Sequence, residues 1–333
     1  MALHQASGRW RLGLVLALTT AGMWATLPVA LKIALEQLDA LTLTWFRFLV
    51  AALLVGAWVA WRGRLGDYRR LGRGDWLLLA LAALMLIGNY VLYLVGLDYT
   101  TAANAQLIIQ LAPLLMAVGG IVVFGERFSK GQWLGLAVLC AGMAVFFRDQ
   151  LATLGGSPRY VVGALLIVAA AVVWAVYALA QKQLLRMLSS PAIMLFIYAA
   201  ATVVLLPVSE PSRLLQLDGL HWLALLYCAL NTLGAYGAFA EALEHWEASR
   251  VSVVLALTPL LTMAVVIAGH ALAPQLVAPE HIGALGIVGA LMVVAGSVLT
   301  SLLGRRRRPP VVVAPCPEAE AETETEAEPG LGR

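Results

Sequence analysis

Long apolar stretches dominate the chain, and short polar segments separate them. A run of about 20 apolar residues is long enough to cross a bilayer as a helix. The pattern predicts ten such spans, at 11–32, 40–61, 75–97, 101–124, 131–148, 159–182, 190–209, 220–243, 249–269 and 280–303. The predicted fold class is therefore an all-α membrane protein with ten transmembrane helices.

Composition supports this interpretation, since 61% of the 333 residues are hydrophobic and only 12% are charged. Soluble domains are about 45–50% apolar and about 25% charged. Cys140, Cys228 and Cys316 have neither metal-ligand nor disulfide spacing. The spans contain no nucleotide-binding loop and no nucleophile–base pair. The sequence therefore predicts a membrane protein that is not an enzyme, with no cofactor, no metal and no nucleic-acid partner.

Arginine and lysine are unevenly distributed over the predicted loops, which are short enough for charge to set the orientation. With the N-terminus inside, sixteen of these residues are cytoplasmic and four, Lys32, Arg148, Arg159 and Arg213, lie outside. This asymmetry predicts a multi-pass protein of a cell (inner) membrane with both termini cytoplasmic. Residues 304–333 hold an arginine cluster and then alternating glutamates, which predicts a disordered basic then acidic cytoplasmic tail.

An internal repeat divides the chain into two halves. Pro113-Leu-Leu recurs 146 residues later as Pro259-Leu-Leu, and other matches keep offsets between 146 and 154. Residues 1–150 and 151–303 are thus predicted to be two copies of a five-helix unit. Because each copy has an odd number of spans, the two copies are inverted relative to each other in the membrane. Inverted repeats that meet at the midplane are typical of alternating-access carriers.

The two repeated prolines lie in the middle of apolar runs. Proline removes the hydrogen bond to the carbonyl four residues earlier, so Pro113 and Pro259 are predicted helix kinks. Membrane helices tolerate such kinks where protein or a water-filled cavity satisfies the backbone. Gln106 and Gln110 precede Pro113 by seven and three residues, so all three share one helical face.

Polar and aromatic residues recur at helical spacing on the proline-bearing spans and on their neighbours. Neutral amides, hydroxyls and aromatic rings suit a zwitterionic or uncharged metabolite. The same groups also join helices within membranes, so both roles stay open for each residue. The predicted substrate-binding residues are Trp24, Asn89, Tyr90, Tyr93, Gln106, Gln110, Trp174, Tyr177, Tyr227, Asn231, Tyr236 and Thr258.

Three basic residues within or beside the spans, Lys32, Arg47 and Lys182, are candidates for gating or charge attraction. An arginine in mid-membrane costs roughly 2.5–3.5 kcal/mol on insertion, so Arg47 should face protein or water. Two roles stay open for Arg47, namely attraction of a substrate carboxylate and structural anchoring. Lys32 and Lys182 hold equivalent places in the two copies, where they either attract an anion or snorkel to the membrane surface. Glu280 is predicted to cap a helix.

Glycines also recur between the two halves. Gly135 and Gly142 match Gly289 and Gly296 at an offset of 154 residues. Small residues at such spacing let membrane helices approach closely. These positions are predicted to form packing seams, and they are not predicted ligand sites.

Four short motifs of the first half have a recognisable order and spacing: Leu41-Thr-Leu-Thr-Trp-Phe-Arg-Phe48, Ala102-Ala-Asn-Ala105, Gln110-Leu-Ala-Pro113-Leu-Leu and Gly125-Glu-Arg127. Together with Trp24 and Lys32, they resemble EamA-type transporters of the drug/metabolite transporter superfamily. The resemblance covers residues 11–303. It implies ten helices in two inverted repeats around a central cavity, lined mainly by spans 1, 3, 4, 6, 8 and 9. It leaves the substrate open, because such transporters export amino acids, other metabolites and drugs.

The sequence therefore predicts a secondary transporter that exports a small metabolite, an amino acid or related compound, by alternating access. An efflux carrier for amphipathic drugs or toxic cations is one alternative, and a passive facilitator or channel-like pore is another. Spans 1 and 6 contain no carboxylate between residues 12–31 and 161–181, unlike the first helix of small multidrug resistance pumps. The expected partners are a small-molecule substrate, the lipid bilayer and a candidate coupling proton. A monomer is sufficient, because one chain supplies both halves.

Overall fold

A computed structural model of the chain describes residues 9–63, 68–69, 71–124, 129–153, 157–184, 186–245, 251, 254–280 and 282–303. The predicted disordered tail, 304–333, lies outside the described residues, and so does the Gly125-Glu-Arg127 motif. For Pro113 and Lys182 the structure describes the backbone alone.

Helices make up all the regular structure of the described ranges. They are α1 (Trp10–Ala34), α2 (Ala40–Trp61), α3 (Arg73–Tyr99), α4 (Ala102–Ile108), α5 (Leu111–Phe124), α6 (Lys130–Thr153), α7 (Pro158–Leu184), α8 (Ser190–Leu205), α9 (Gly219–His245), α10 (Thr258–Leu272) and α11 (Ala284–Leu302). Short 3-10 turns at Leu206–Val208 and Pro211–Gln216 connect α8 to α9. Among the described residues, seven helices are long and apolar enough to cross a membrane, namely α1, α2, α3, α6, α7, α8 and α9, whereas α10 and α11 are shorter apolar helices.

Side chains in the connecting segments set where several helices begin. Asp39 Oδ1 accepts hydrogen bonds from the backbone N–H groups of Leu41 and Thr42 at 3.0 and 2.9 Å, and α2 starts directly after it. Thr101 caps α4 in the same manner, by accepting from Asn104 N at 3.4 Å. Such caps satisfy N–H groups that the first turn of a helix leaves without partners. They explain how short connections can separate consecutive apolar helices.

The helices pack mainly in four pairs: α6 with α11, α3 with α7, α1 with α9, and α2 with α8. Each pair combines a helix from the first half of the chain with one from the second. The two halves therefore interlock along their length, and the buried apolar core lies between them. Large apolar side chains on the outer faces, such as Leu53, Leu84 and Val203, are more than half exposed, as expected for helices that contact lipid.

Glycines allow the closest of these contacts. A Cβ placed on Gly289 would lie 2.6 Å from Phe146 N, and one on Gly142 would lie 2.7 Å from Val293 N. Gly135 and Gly296 face each other with similar closeness, so the α6–α11 pair forms the packing seam that the sequence predicts. A second close approach, which the sequence does not predict, lies in the α3–α7 pair, where a Cβ on Gly96 would lie 2.8 Å from the carbonyl oxygen of Gly163.

Two helices are interrupted at equivalent places in the two halves. A turn at Ile109 and Gln110 separates α4 from α5, three residues before Pro113. A second turn at 256–257 precedes α10, which has Pro259 in its first turn. A proline cannot donate a backbone hydrogen bond, so an apolar helix opens on the N-terminal side of the ring. The carbonyl group four residues before each proline finds another donor: Ala112 N donates to Ile109 O at 2.9 Å, and Thr258 Oγ1 donates to Leu255 O at 2.6 Å.

Candidate functional site

Arg47 is a buried cation in the interior of the helix bundle. The residue is 3% exposed, and it projects from α2 towards α3 and α9. Its Nε and Nη2 atoms both donate to Thr232 Oγ1, at 3.2 and 3.0 Å. Its guanidinium carbon lies 4.9 Å from the ring centroid of Tyr90, which is a cation–π distance. A neutral hydroxyl and an aromatic face are thus the immediate surroundings of this buried cation.

Aromatic rings from both halves gather near this arginine. The ring centroids of Tyr90 and Phe48 are 4.6 Å apart, and the phenol groups of Tyr90 and Tyr236 are close enough to interact. Trp24 of α1 meets Tyr236 edge-on at 5.5 Å and Phe239 at 5.9 Å. On α7, the indole of Trp174 meets the ring of Tyr177 edge-on at 6.3 Å. We call Arg47, Thr232, Tyr90, Tyr236 and Trp24 the central cluster.

A second polar group joins α1 to α9 beside the central cluster. Asn231 is 1% exposed, and its Nδ2 donates to the carbonyl oxygen of Met23 at 2.8 Å. The same nitrogen donates to Tyr227 OH at 3.2 Å, and Tyr227 OH shares a short hydrogen bond with Thr26 Oγ1. Asn231 Oδ1 is buried and has no hydrogen-bond partner among the described residues. Tyr227 and Asn231 are therefore brought together, as their i, i+4 spacing predicts.

Three of the predicted substrate-binding residues join helices or cap them. Asn89 Nδ2 donates to the carbonyl oxygen of Ala170 on α7 at 2.9 Å. Tyr177 OH contacts Met194 Sδ on α8 at 3.3 Å, and Thr258 Oγ1 donates to Leu255 O at 2.6 Å. These contacts are of the kind that joins or caps helices within membranes.

The interrupted helix α4–α5 presents two glutamines. Gln106 is 9% exposed, and its Oε1 accepts a hydrogen bond from Tyr93 OH at 3.5 Å. Gln110 lies in the turn itself with a partly exposed side chain, and that side chain makes no hydrogen bond within the described part of the chain. Gln106 is therefore engaged with α3, whereas the amide of Gln110 is available to another group.

A cavity of about 300 Å³ that is lined by both charged and apolar residues lies near the C-terminal ends of α1 and α3. It is bounded by these two helices, by the start of α4 and by the segment that connects α10 to α11. Its charged and hydroxyl-bearing lining residues are Lys32, Glu36, Asp98, Thr100, Thr101 and Glu280. The volume is large enough for a compact metabolite, and the lining carries both signs of charge.

Glu280 closes one side of this cavity by a contact between the two halves. Each of its carboxylate oxygens lies 3.2 Å from the backbone nitrogen of Ala103, so the residue caps α4 as the sequence predicts for a helix start. The helix that it caps belongs to the other half of the chain, which the sequence does not reveal. Lys32, which also lines the cavity, donates from Nζ to the backbone carbonyl of Asp98 at 3.3 Å.

We expect Glu280→Gln to change how stability depends on pH. Burial raises the pKa of the Glu280 carboxyl above its ordinary value of 4.5, and this effect exceeds the opposing one of its hydrogen bonds and of Lys32. The folded protein therefore keeps a proton that the unfolded chain has released, and stability falls as the pH rises from about 4.5 through the folded-state pKa. The neutral glutamine removes this loss.

Thermal unfolding midpoints of the detergent-solubilised protein, measured between about pH 4 and about pH 8, test this prediction. The variant should gain stability relative to the parent as the pH rises, because only the parent must bury a charge. Parallel pH profiles for the two proteins would contradict the assignment. Asp98→Asn is a matched control, since it also changes a carboxylate of the cavity lining, but one that is exposed and whose partner, Arg159, stays charged over this pH range.

No sequence pattern points to Thr232, which holds Arg47, or to Ala103, whose backbone N–H donates to Glu280. Arg47 and Thr232 are 185 residues apart, and Ala103 and Glu280 are 177 residues apart. Thr232 follows Asn231 directly, but its hydroxyl carries no spacing signal that points to an arginine in α2. Contacts that cross between the halves have no local pattern, so only the structure reveals them.

Apolar helices of membrane-spanning length that pack around buried polar and aromatic groups define a multi-pass membrane protein with a polar interior. The sequence profile described as "EamA-like transporter family" matches residues 11–148 and again 161–302. The chain therefore belongs to the EamA-like transporter family, and it is a membrane transporter.

Curated relatives agree with this assignment. The chain is 37% identical over 295 residues to the "Uncharacterized inner membrane transporter YhbE" of Escherichia coli K12, covering 87% of this chain and 91% of the relative. It is 30% identical over 224 residues to the "Aromatic amino acid exporter YddG" of Ancylobacter novellus, covering 66% and 74%. It is 26% identical over 312 residues to a "Probable amino-acid metabolite efflux pump" of Escherichia coli K12, covering 90% and 97%.

The fold is also found among solved structures. One crystal structure superposes with a TM-score of 0.62 over 92% of this chain and 100% of its own, at 22% sequence identity. At this level of identity the likeness concerns the fold alone. The relative named an inner membrane transporter and the multiple apolar helices together indicate a multi-pass inner membrane protein.

Proposed function

We propose that this protein is a secondary transporter that exports a small metabolite, an amino acid or a related compound. The observation that carries the proposal is the central cluster, where a buried arginine meets aromatic rings supplied by both halves. Such a lining suits a compact ligand with a polar end and an apolar body. Two relatives that are named an amino acid exporter and an amino-acid metabolite efflux pump point to the same class of substrate.

The proposed architecture has ten membrane spans in two inverted repeats, residues 1–150 and 151–303. In this scheme α4 and α5 form one broken span, and α10 forms another with the helical residues just before its turn. Support comes from the paired matches to the family profile and from the equivalent helix interruptions. The helix pairing also supports this architecture. Exchanging the two halves turns α1 into α7 and α9 into α3, so the α1–α9 pair and the α3–α7 pair are equivalent contacts.

The proposed mechanism is alternating access. Inverted repeats allow one sequence to form two arrangements of similar free energy, each open to a different side of the membrane. The contact between Glu280 and Ala103 is a suitable closing contact at one end, since it joins the two halves beside the cavity near the C-terminal ends of α1 and α3. With both termini cytoplasmic, this end faces outwards, and Lys32 lies there to attract anionic groups. Lys182 holds the equivalent place at the other end, and Pro113 and Pro259 act as paired helix kinks.

The substrate-binding residues are proposed to come from the central cluster and its neighbours. Trp24, Tyr90 and Tyr236 supply aromatic surface, and Gln110 and Asn231 supply amides with unused hydrogen-bonding capacity. Tyr93, Gln106, Trp174 and Tyr227 surround them, while Asn89, Tyr177 and Thr258 hold the adjoining helices in place. Because the two repeats contribute different polar groups, the site suits one orientation of a small asymmetric ligand.

Purified protein in proteoliposomes provides the test of this proposal. Uptake of radiolabelled common amino acids should be measured with and without an imposed pH gradient, alongside the lipophilic cation tetraphenylphosphonium. We expect at least one amino acid to enter faster than in empty vesicles, with no uptake of the cation. Uptake of the cation alone would favour drug efflux. A pH gradient that alters the steady-state level of an amino acid would identify the proton as the coupling ion.

A further inference from the structure

The geometry points to Arg47 as the residue that recognises a carboxylate of the transported compound. This inference rests on the proposed transport of a small metabolite, and it assigns the chemical class that the central cluster selects. The ligand is a compound with a free carboxylate, bound end-on by the guanidinium group, with its remaining part against the aromatic rings of the cluster.

Arg47 has no counter-charge among the described residues. Arg47 is 3% exposed and lies among apolar helices, where a cation without an opposite charge is costly. Within the described residues no carboxylate forms an ion pair with it. The described acidic residues lie in the connecting segments or near helix ends, for example Glu36, Asp98 and Glu241. A carboxylate brought by the ligand would supply the charge that the helices around Arg47 lack.

Only part of the Arg47 guanidinium group is hydrogen-bonded within the described residues. The group has five N–H donors, and Nε–H and one Nη2–H of Arg47 are directed at Thr232 Oγ1. Thr232 is itself fully used, because its hydroxyl donates to the carbonyl oxygen of Cys228 at 3.0 Å. The edge formed by Nη1 and the second N–H of Nη2 therefore has no hydrogen-bond partner among the described residues. That edge has the fork geometry that binds both oxygens of one carboxylate.

Two neighbours fix the orientation of the Arg47 guanidinium group. Thr232 holds one edge of the guanidinium group, and the ring of Tyr90 lies at 4.9 Å from its carbon atom. Two fixed neighbours on different helices leave the plane of the group little freedom, so its free edge is preorganised. Tyr236 and Trp24 extend the aromatic surface beyond Tyr90. An apolar or aromatic portion of the ligand can pack there once the carboxylate is bound.

A purely structural arginine predicts different behaviour. If Arg47 only joins α2 to α9, its contribution consists of the two hydrogen bonds to Thr232. Thr232→Val should then reduce transport as much as Arg47→Gln does. If Arg47 recognises a carboxylate, Arg47→Gln should remove the preference for acids, whereas Thr232→Val should lower the rate and keep the preference. The two variants therefore form a matched pair, since each breaks the same contact from one side.

The test compares the amino acid with the fastest counterflow against its amide and its decarboxylated amine, all with purified full-length protein in proteoliposomes. In the parent, the acid should be preferred over the amide by about 10- to 100-fold in apparent affinity, as for a charge-assisted hydrogen-bonded pair. Arg47→Gln should bring this ratio close to one, and Thr232→Val should preserve it. Thermal unfolding of each variant in detergent shows whether the fold is intact.

Arg47→Lys keeps the positive charge and removes the forked arrangement of donors. It replaces Arg47→Gln in the experiment if the glutamine variant does not fold. It should bind the acid several-fold more weakly than the parent and still prefer the acid to the amide. The inference is overturned if the parent carries the amide as well as the acid, or if Arg47→Gln keeps the preference. Absence of flux for every amino acid and every derivative would overturn the proposed transport function together with this inference. Flux without a preference for the acid would overturn this inference alone.

Discussion

Gly289→Ala is expected to lower the free energy of unfolding by about 1–3 kcal/mol, the usual cost of an overpacked contact. The added Cβ would lie 2.6 Å from Phe146 N and 2.8 Å from the carbonyl oxygen of Gly142. Both neighbours are backbone atoms, so no side-chain rotation can relieve the contact, and α6 and α11 must separate. In an unconstrained helix the same change is favourable by about 1 kcal/mol, which makes a loss diagnostic of the seam.

Gly88→Ala is the matched control for this experiment. Gly88 lies inside α3, and a Cβ at this position would have no neighbouring atom within 4 Å. It should therefore leave the unfolding midpoint unchanged or raise it. Thermal unfolding of both variants in the same detergent decides the matter. Equal midpoints for Gly289→Ala and Gly88→Ala would show that the α6–α11 seam does not limit stability.

Gln110→Ala is expected to reduce substrate flux by about tenfold or more without a loss of stability. Gln110 lies in the turn between α4 and α5, and its amide makes no hydrogen bond to the described residues, so the folded protein loses little when it is removed. A ligand that uses this amide loses a hydrogen bond in the middle of the bundle. For a charged ligand such a bond is worth about 1.5–3 kcal/mol, which corresponds to tenfold or more in affinity.

Asn231→Ala provides the contrasting case. It removes the hydrogen bonds to Met23 O and Tyr227 OH. We therefore expect the free energy of unfolding to fall by about 1 kcal/mol, the unfolding midpoint to fall with it, and the substrate flux to fall as well. Initial rates should be compared at equal amounts of incorporated protein, together with thermal unfolding. Unchanged flux for both variants would rule out this part of the proposed site.

Local patterns in the sequence predict a large part of this fold. Apolar runs mark α1, α2 and α3, and Pro113 marks the place near which the helix is interrupted, because a missing N–H acts within one turn. The glycines of α6 and α11 are predictable as a seam because they recur in both halves. Gly96 and Gly163 make an equally close contact without such a repeat, and a single glycine in a span carries no packing signal.

The site is less predictable than the fold, for a physical reason. Helical spacing places Asn89 on a face with Tyr93, but it does not show what covers that face, and Ala170 of α7 turns out to do so. Arg47 shows the same limit, because its burial is expected from the cost of an exposed charge in lipid, whereas its partner Thr232 is not. Contacts between distant halves depend on how the helices pair, which periodicity within one helix cannot specify.

Trans-stimulation tests the central claim, alternating access by a carrier, most directly. Proteoliposomes are loaded with an unlabelled amino acid that the protein transports, and the initial uptake of the same labelled compound is compared with that of unloaded vesicles. A carrier reorients faster when it is occupied, so we predict a several-fold faster uptake into loaded vesicles. Equal or slower uptake into loaded vesicles would contradict the account and indicate a channel-like pore.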